Sequence, residues 1–387
     1  MVKVKDIILV TSIICVIISM NTTCLCYIFS SKSIVLHEIG QIDTGGWGIG
    51  ICINGDIAVV ADMGLSELED GSLVLLNISN PINPTTISVV ELLSPHQFYV
   101  ENDIVYVADH LEGLKIYDIH NPGNPVKLGE HNDGGAVNGI SIKENLAFLA
   151  DWEDGLEIVN ISDPTQPTEV FQYDDLENIF RVHFYNNLAY VSDFQSTLKI
   201  LNVSSPFNIT EIARYYISDE VSAIEFVNEI AYMACAGDGV RIFDISNPSN
   251  LVELGSFYDG GHAISLTVLD SIVIVSDLSD GIEILDVSNP ANPIEIATFY
   301  DGGNATGIDI VENLLFVSDG RDGLEIIEIL GFESTTTSSS EYTSSSLTTT
   351  ERASSPGFDS YLLIFGLFFL LLNEGRRRGI YRVLKRR

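Results

Sequence analysis

"SDLSDGIEILDVSNPANP", residues 276–293, recurs along the chain with few changes. "MACAGDGVRIFDISNPSN" (233–250) and "ADWEDGLEIVNISDPTQP" (150–167) precede it, and "SDGRDGLEIIEILGF" (318–332) follows it, cut short. Gly71, Gly113, Gly155, Gly239, Gly281 and Gly323 stand before the apolar step at intervals of 42 or twice 42, and Thr197 fills the remaining slot. The reading is seven copies with no length drift across this anchor. A fixed period of this size is the signature of stacked or ringed supersecondary units.

Within one copy, "TGIDIV" (306–311), "LLFVSD" (314–319) and "LEIIEI" (324–329) are short runs of β-branched and apolar residues, separated by "EN" and "GRDG". Such runs bounded by Gly, Asp and Asn read as strands. A fourth run, such as "IEIATFYD" (294–301), follows the "NPANP" spacer. The strands are termed A to D. Four strands in each of seven units predict an all-β fold, a seven-bladed β-propeller of 42-residue repeats spanning 33–332. "SIVLHEIGQID" (33–43) aligns with strand D, and the last copy ends at strand C. The N-terminal strand is therefore expected to complete the last blade, closing the ring and removing its sheet edges.

Glycine at the start of strand C suits a tight B–C hairpin, and the "NP" prolines suit a C–D link outside the ladder. Between Asp62 and Gly71, "MGLSELED" is five residues longer than the matching loop elsewhere. It is either a functional loop or a tolerated insertion.

"GLKIYDI" (113–119), "GLEIVNI" (155–161), "GVRIFDI" (239–245) and "GIEILDV" (281–287) resemble the LVIVD repeat of archaeal and bacterial surface proteins. The resemblance covers 33–332 and departs at Asn77, Asn160, Asn202 and Glu328, which occupy an Asp slot. It implies a propeller and a surface setting, and it carries no catalytic residue. The Gly-His and Trp-Asp signature of WD40 repeats is absent.

The flanks point to export. Residues 1–30 have a secretory layout, two lysines before an apolar run, and read as a signal peptide or an uncleaved anchor. Residues 333–355 are a Ser/Thr tract too polar to fold, expected to form a stalk. Residues 356–375 are a short apolar anchor or sorting segment, and 376–387 form a basic tail expected to stay cytoplasmic. Pro356, Gly357 and Phe358, followed by the apolar and basic segments, resemble the sorting tails of archaeal surface proteins cut by archaeosortase-like enzymes. The expected location is the outer side of the plasma membrane, with a C-terminal anchor.

Cys52 and Cys235 fall in blades one and five, so no bridge is expected between them. The chain carries a formal charge of −35, and residues 31–330 hold 48 acidic against nine basic side chains. Nucleic acid is excluded as a partner of the propeller, and cations or basic surfaces are favoured.

In an up-and-down blade, the D–A and B–C links share one face. That face should carry Asp109, Asp133, Asp151, Asp154, Asp259, Asp277, Asp280, Asp301, Asp319 and Asp322. Those of blades three and six, Asp151, Asp154, Asp277 and Asp280, are expected in exposed hairpins. These acids either bond their own backbone or offer oxygen ligands to Ca²⁺. Trp47, His96, Phe180 and His262 lie near the starts of A strands and either line the channel mouth as a ligand site or fill the channel. Asn77, Asn160, Asn202, Asn208 and Asn304 are glycosylation sequons.

No nucleophile elbow, zinc motif or phosphate loop is present. The leading expectation is a surface-anchored binding or adhesion module, a monomeric disc that meets an extracellular protein or glycan. The alternative is an extracytoplasmic hydrolase or lactonase-like enzyme with a metal on the acidic face.

Overall fold

A computed structural model of the 387-residue chain describes residues 34–64, 70–174 and 178–331. The segments read above as leader, stalk, anchor and tail, and most of the blade-one insertion, lie outside the described residues, as do Pro356, Gly357 and Phe358. Among the described residues no helix is long and apolar enough to cross a membrane.

Seven separate four-stranded sheets make up the fold. Six consist of four consecutive strands, the first in chain order being Trp47–Asn54, Ile57–Met63, Gly71–Asn77 and Thr85–Leu92. The seventh combines Ala305–Val311, Leu314–Asp319 and Gly323–Leu330 with the N-terminal Val35–Ile42, which pairs antiparallel with Gly323–Leu330. The chain thus closes by the expected exchange. Blade one meets blade seven along Trp47–Asn54 and Ala305–Val311, and Gly48 donates its amide to the Gly320 carbonyl across that seam. Equivalent bonds run from Val137 to His110, from Ala263 to Ala236 and from Ala305 to Leu278, each joining a B–C turn to the next A strand.

Burial follows strand position. Strands B and C are sandwiched between neighbouring blades, so Leu146–Asp151 and Gly155–Asn160 are buried almost throughout. That is why they read as continuous apolar runs rather than an alternation. Strand D is the outer edge and is largely exposed, as in Ile294–Phe299. The apolar core lies between blades: Tyr106, Leu114 and Ile116 of blade two pack with Val137, Ile140 and Leu149 of blade three.

Blade one corrects the sequence anchor. Asp109, Asp151 and Asp319 end strand B opposite Gly113, Gly155 and Gly323. The equivalent Asp62 lies opposite Ser72, while Gly71 pairs with Leu92 of strand D. Gly113, Gly155 and Gly323 have positive φ and Gly71 does not. Gly71 therefore sits one place before the hairpin glycine of the other blades, and the length does drift by one residue.

Candidate functional site

The links segregate as the topology requires. On one face, A–B turns meet C–D links: Ile161 donates to the Asn145 carbonyl, Val203 to Asn187 and Val287 to Ser271. On this face Asn77, Asn160 and Asn202 accept the amides of Ser79, Ser162 and Ser204, as Asp244 and Asp286 accept those of Ser246 and Ser288. Only a side-chain oxygen is used there. This explains why Asn and Asp interchange in the repeat. Asn208 is exposed beside them, whereas Asn304 is half-buried on the opposite face.

The opposite face joins the D–A links to the ends of the B strands. Its acids form two classes. Asp133, Asp154, Asp259, Asp280, Asp301 and Asp322 are exposed. Asp109, Asp151, Asp277 and Asp319 are each at most 2 % exposed, which corrects the expectation that Asp151 and Asp277 stand in exposed hairpins. The reason is the preceding D–A link, which carries a Gly-Gly step over Asp151, Asp277 and Asp319 and Leu93-Ser94 over Asp109. Asp151 accepts the Ala136 amide, Asp277 the His262 amide, and Asp109 the Ser94 amide at 2.7 Å. Gly135, Gly261 and Gly303 lie so close to Asp151, Asp277 and Asp319 that a Cβ would strike the carboxylate. The loop folds down onto the carboxyl group and excludes water from it.

The strand C residue two beyond the hairpin decides the charge around each buried carboxyl. In blade two it is Lys115, whose ammonium lies 2.6 Å from Asp109. In blade five Arg241 stands there, Cys235 replaces the aspartate, and the guanidinium binds Glu253 at 2.6 Å. In blades three, six and seven the position holds Glu157, Glu283 and Glu325. These blades place carboxyl against carboxyl. Burial, then Asp259 and Asp277, pushes Glu283 up to about 9. Burial, then Asp301 and Asp319, pushes Glu325 up to about 10. Desolvation drives Asp62, Asp151, Asp277 and Asp319 each up to about 7. In blade three, His131 bonds Glu157, and that bond raises the imidazole.

Of the aromatic and histidine candidates, His96 and Phe180 share one neighbour: Arg181 lies over the Phe180 ring and close enough to His96 for its charge to act on the imidazole. Trp47 sits at the seam of blades one and seven, its ring 5.8 Å from the Arg321 guanidinium. His96 stacks on His110 at 4.5 Å. Phe180 is buried against Phe194 and beneath the Arg181 guanidinium, 3.7 Å from its ring. His262 lies beside Gly237 and feels Asp219. Cys52 and Cys235 are both free thiols.

Three residues escaped the sequence reading. Tyr216, Tyr258 and Tyr300 recur at 42-residue intervals where strand D runs into the acidic links, and they are 74, 62 and 60 % exposed. Tyr258 and Tyr300 directly precede Asp259 and Asp301. Their regular spacing was the available signal.

The LVIVD repeat matches residues 45–91, 98–133, 134–175, 180–216, 224–259, 260–301 and 302–345. No curated protein is detectably similar. Among solved structures, the WD40 domain of Neurospora crassa Pan2 is similar at 11 % identity and a TM-score of 0.60, covering 78 % of this chain and 96 % of that one. The β-propeller domain of Myceliophteria thermophila Cps50 (Swd1) is similar at 12 % identity and a TM-score of 0.61, covering 76 and 99 %. The computationally designed Ika8 protein gives 13 % identity and a TM-score of 0.56, covering 76 and 100 %. At these identities the likeness is one of fold.

Proposed function

Given that this chain belongs to the LVIVD repeat family, with seven matched repeats forming seven blades, we propose that it is a binding module whose working surface is the acidic face. The observation that carries this reading is the arc of Tyr216, Tyr258 and Tyr300 beside Asp259 and Asp301. Exposed tyrosines offer large, stiff contact area at little entropic cost. Neighbouring carboxylates select a cationic surface and steer its approach. The opposite face presents capped "NP" links whose side chains already serve their own backbone.

The partner class is an extracellular protein with a basic patch, or a glycan that stacks on tyrosine. The tether belongs to the same proposal: the leader, the Ser/Thr tract and the apolar and basic tail would hold the disc outside the plasma membrane. The test is an array of glycans and cell-surface proteins probed with the purified protein, with hydrolase activity assayed in parallel. Binding without turnover supports the module. Metal-dependent turnover would instead support the enzyme alternative.

A further inference from the structure

We propose that blades three and seven each hold a hard divalent cation of the Ca²⁺ type between the D–A link and the B–C hairpin. The ligands are Asp133, Asp151 and Asp154 in blade three, and Asp301, Asp319 and Asp322 in blade seven. In each set one carboxylate oxygen per residue lies within 4.8 Å of the others. Oxygens bound to Ca²⁺ at about 2.3–2.6 Å can stand up to about 5 Å apart across the ion. The two sets are the same three positions of the repeat, four periods apart; Asp259, Asp277 and Asp280 hold those positions in blade six but do not converge in the same way.

A second observation points to a ligand. Asp151 Oδ2 and Asp319 Oδ1 are buried atoms with no hydrogen-bond partner, in residues only 1 and 2 % exposed; the Asp319 carboxyl otherwise faces that of Glu325. A buried carboxylate without a counter-charge is costly, and it resolves by taking up a proton or a cation. The repeat contains its own comparison. Blade two has the same buried aspartate, and there Lys115 reaches it. Blades three and seven replace that lysine with Glu157 and Glu325, which removes the internal cation and adds an acid. No basic group acts on either aspartate among the described residues; His131 bonds Glu157, and the Arg321 guanidinium lies over Trp47. The outer ligands, Asp133, Asp154, Asp301 and Asp322, are exposed, so an ion can enter and keep waters for its remaining positions.

The chain's two tryptophans allow each site to be read separately. Trp152 lies between Asp151 and Asp154 in sequence, and a Cβ on Gly320, beside Asp319, would sit 3.4 Å from Trp47. The full chain is stripped with EDTA in mild detergent and titrated with Tb³⁺, with excitation at the red edge of the indole band. Sensitised terbium emission is expected, and Ca²⁺ should displace it. In a Trp47→Phe background, Asp154→Asn should weaken Tb³⁺ binding at least tenfold. In a Trp152→Phe background, Asp322→Asn should do the same. Both ligands are exposed, so circular dichroism should show an unchanged fold. The proposal is overturned if there is no sensitised emission, if Ca²⁺ does not displace it, or if both Asn variants bind as the parent does. Protons alone would then neutralise these clusters. The readout is the ion itself, so the result is independent of whether the face binds a macromolecule.

Discussion

The Gly48 amide donates to the Gly320 carbonyl at 2.8 Å, although the two residues stand near opposite ends of the described chain. This bond, with the pairing of Val35–Ile42 on Gly323–Leu330, makes the last blade depend on the first strand. Removing residues 34–43 should leave Gly323–Leu330 as an unpaired edge, open to pairing with another molecule. Size-exclusion chromatography should show oligomers, and the melting temperature should fall. A monomer that melts like the parent would contradict the closure.

The second glycine of the D–A link is expected to tolerate no side chain. Gly303→Ala would push a methyl into the Asp319 carboxylate. The link would have to lift from strand B, at a cost of about 1–3 kcal/mol. Gly123, whose Cβ would find its nearest neighbour at 3.5 Å, is the control. Thermal denaturation of the two alanine variants should separate them clearly.

Lys115→Gln should be among the most damaging single changes on the acidic face. Asp109 is fully buried and its ammonium partner is only 11 % exposed. Breaking one side of such a pair leaves a buried charge uncompensated, at about 3–5 kcal/mol. Urea denaturation at neutral pH measures the loss, and a change below about 1 kcal/mol would show that the Asp109 amide bonds alone suffice.

The Glu283→Gln and Glu325→Gln pair should do the opposite, in a pH-dependent way. Both carboxyls titrate higher in the folded state than in the unfolded chain, near 9 and 10 against about 4.3. Their contribution to stability is therefore greatest below about pH 4 and is lost as pH rises toward 9–10. Glutamine removes that loss. Without divalent metal, the double variant should melt roughly 5 °C above the parent at pH 9 and close to it at pH 4. The same difference at both pH values would exclude titration of these groups.

The period, the strand count and the ring closure were legible because burial between blades forces each unit to present the same apolar runs. The register of blade one was not. Gly71 keeps the 42-residue interval by coincidence, while the insertion before it moves the hairpin to Ser72. The burial of Asp151 and Asp277 was also hidden. It depends on the Gly-Gly step of a link 16 residues upstream, and nothing local in "ADWEDG" or "SDLSDG" marks the first acid as different from the second. The series Lys115, Glu157, Lys199, Arg241, Glu283 and Glu325, three basic and three acidic, stands in the sequence at a strict interval. Its meaning required knowing that this position lies beside the buried aspartate.

The most direct test of the acidic face as working surface is a comparison of two variant sets on the same glycan and cell-surface protein array. One set changes Tyr216, Tyr258 and Tyr300 to Ala together with Asp280 to Lys. All four are exposed, and none is a proposed cation ligand. The other changes Asn121, Asp163, Asn247 and Asn289 to Ala on the opposite face. With both proteins retaining the parent circular dichroism spectrum, the first set should lose the parent's array signals, and the second should keep them. Signals that survive the first set and vanish with the second would place the working surface on the "NP" links instead.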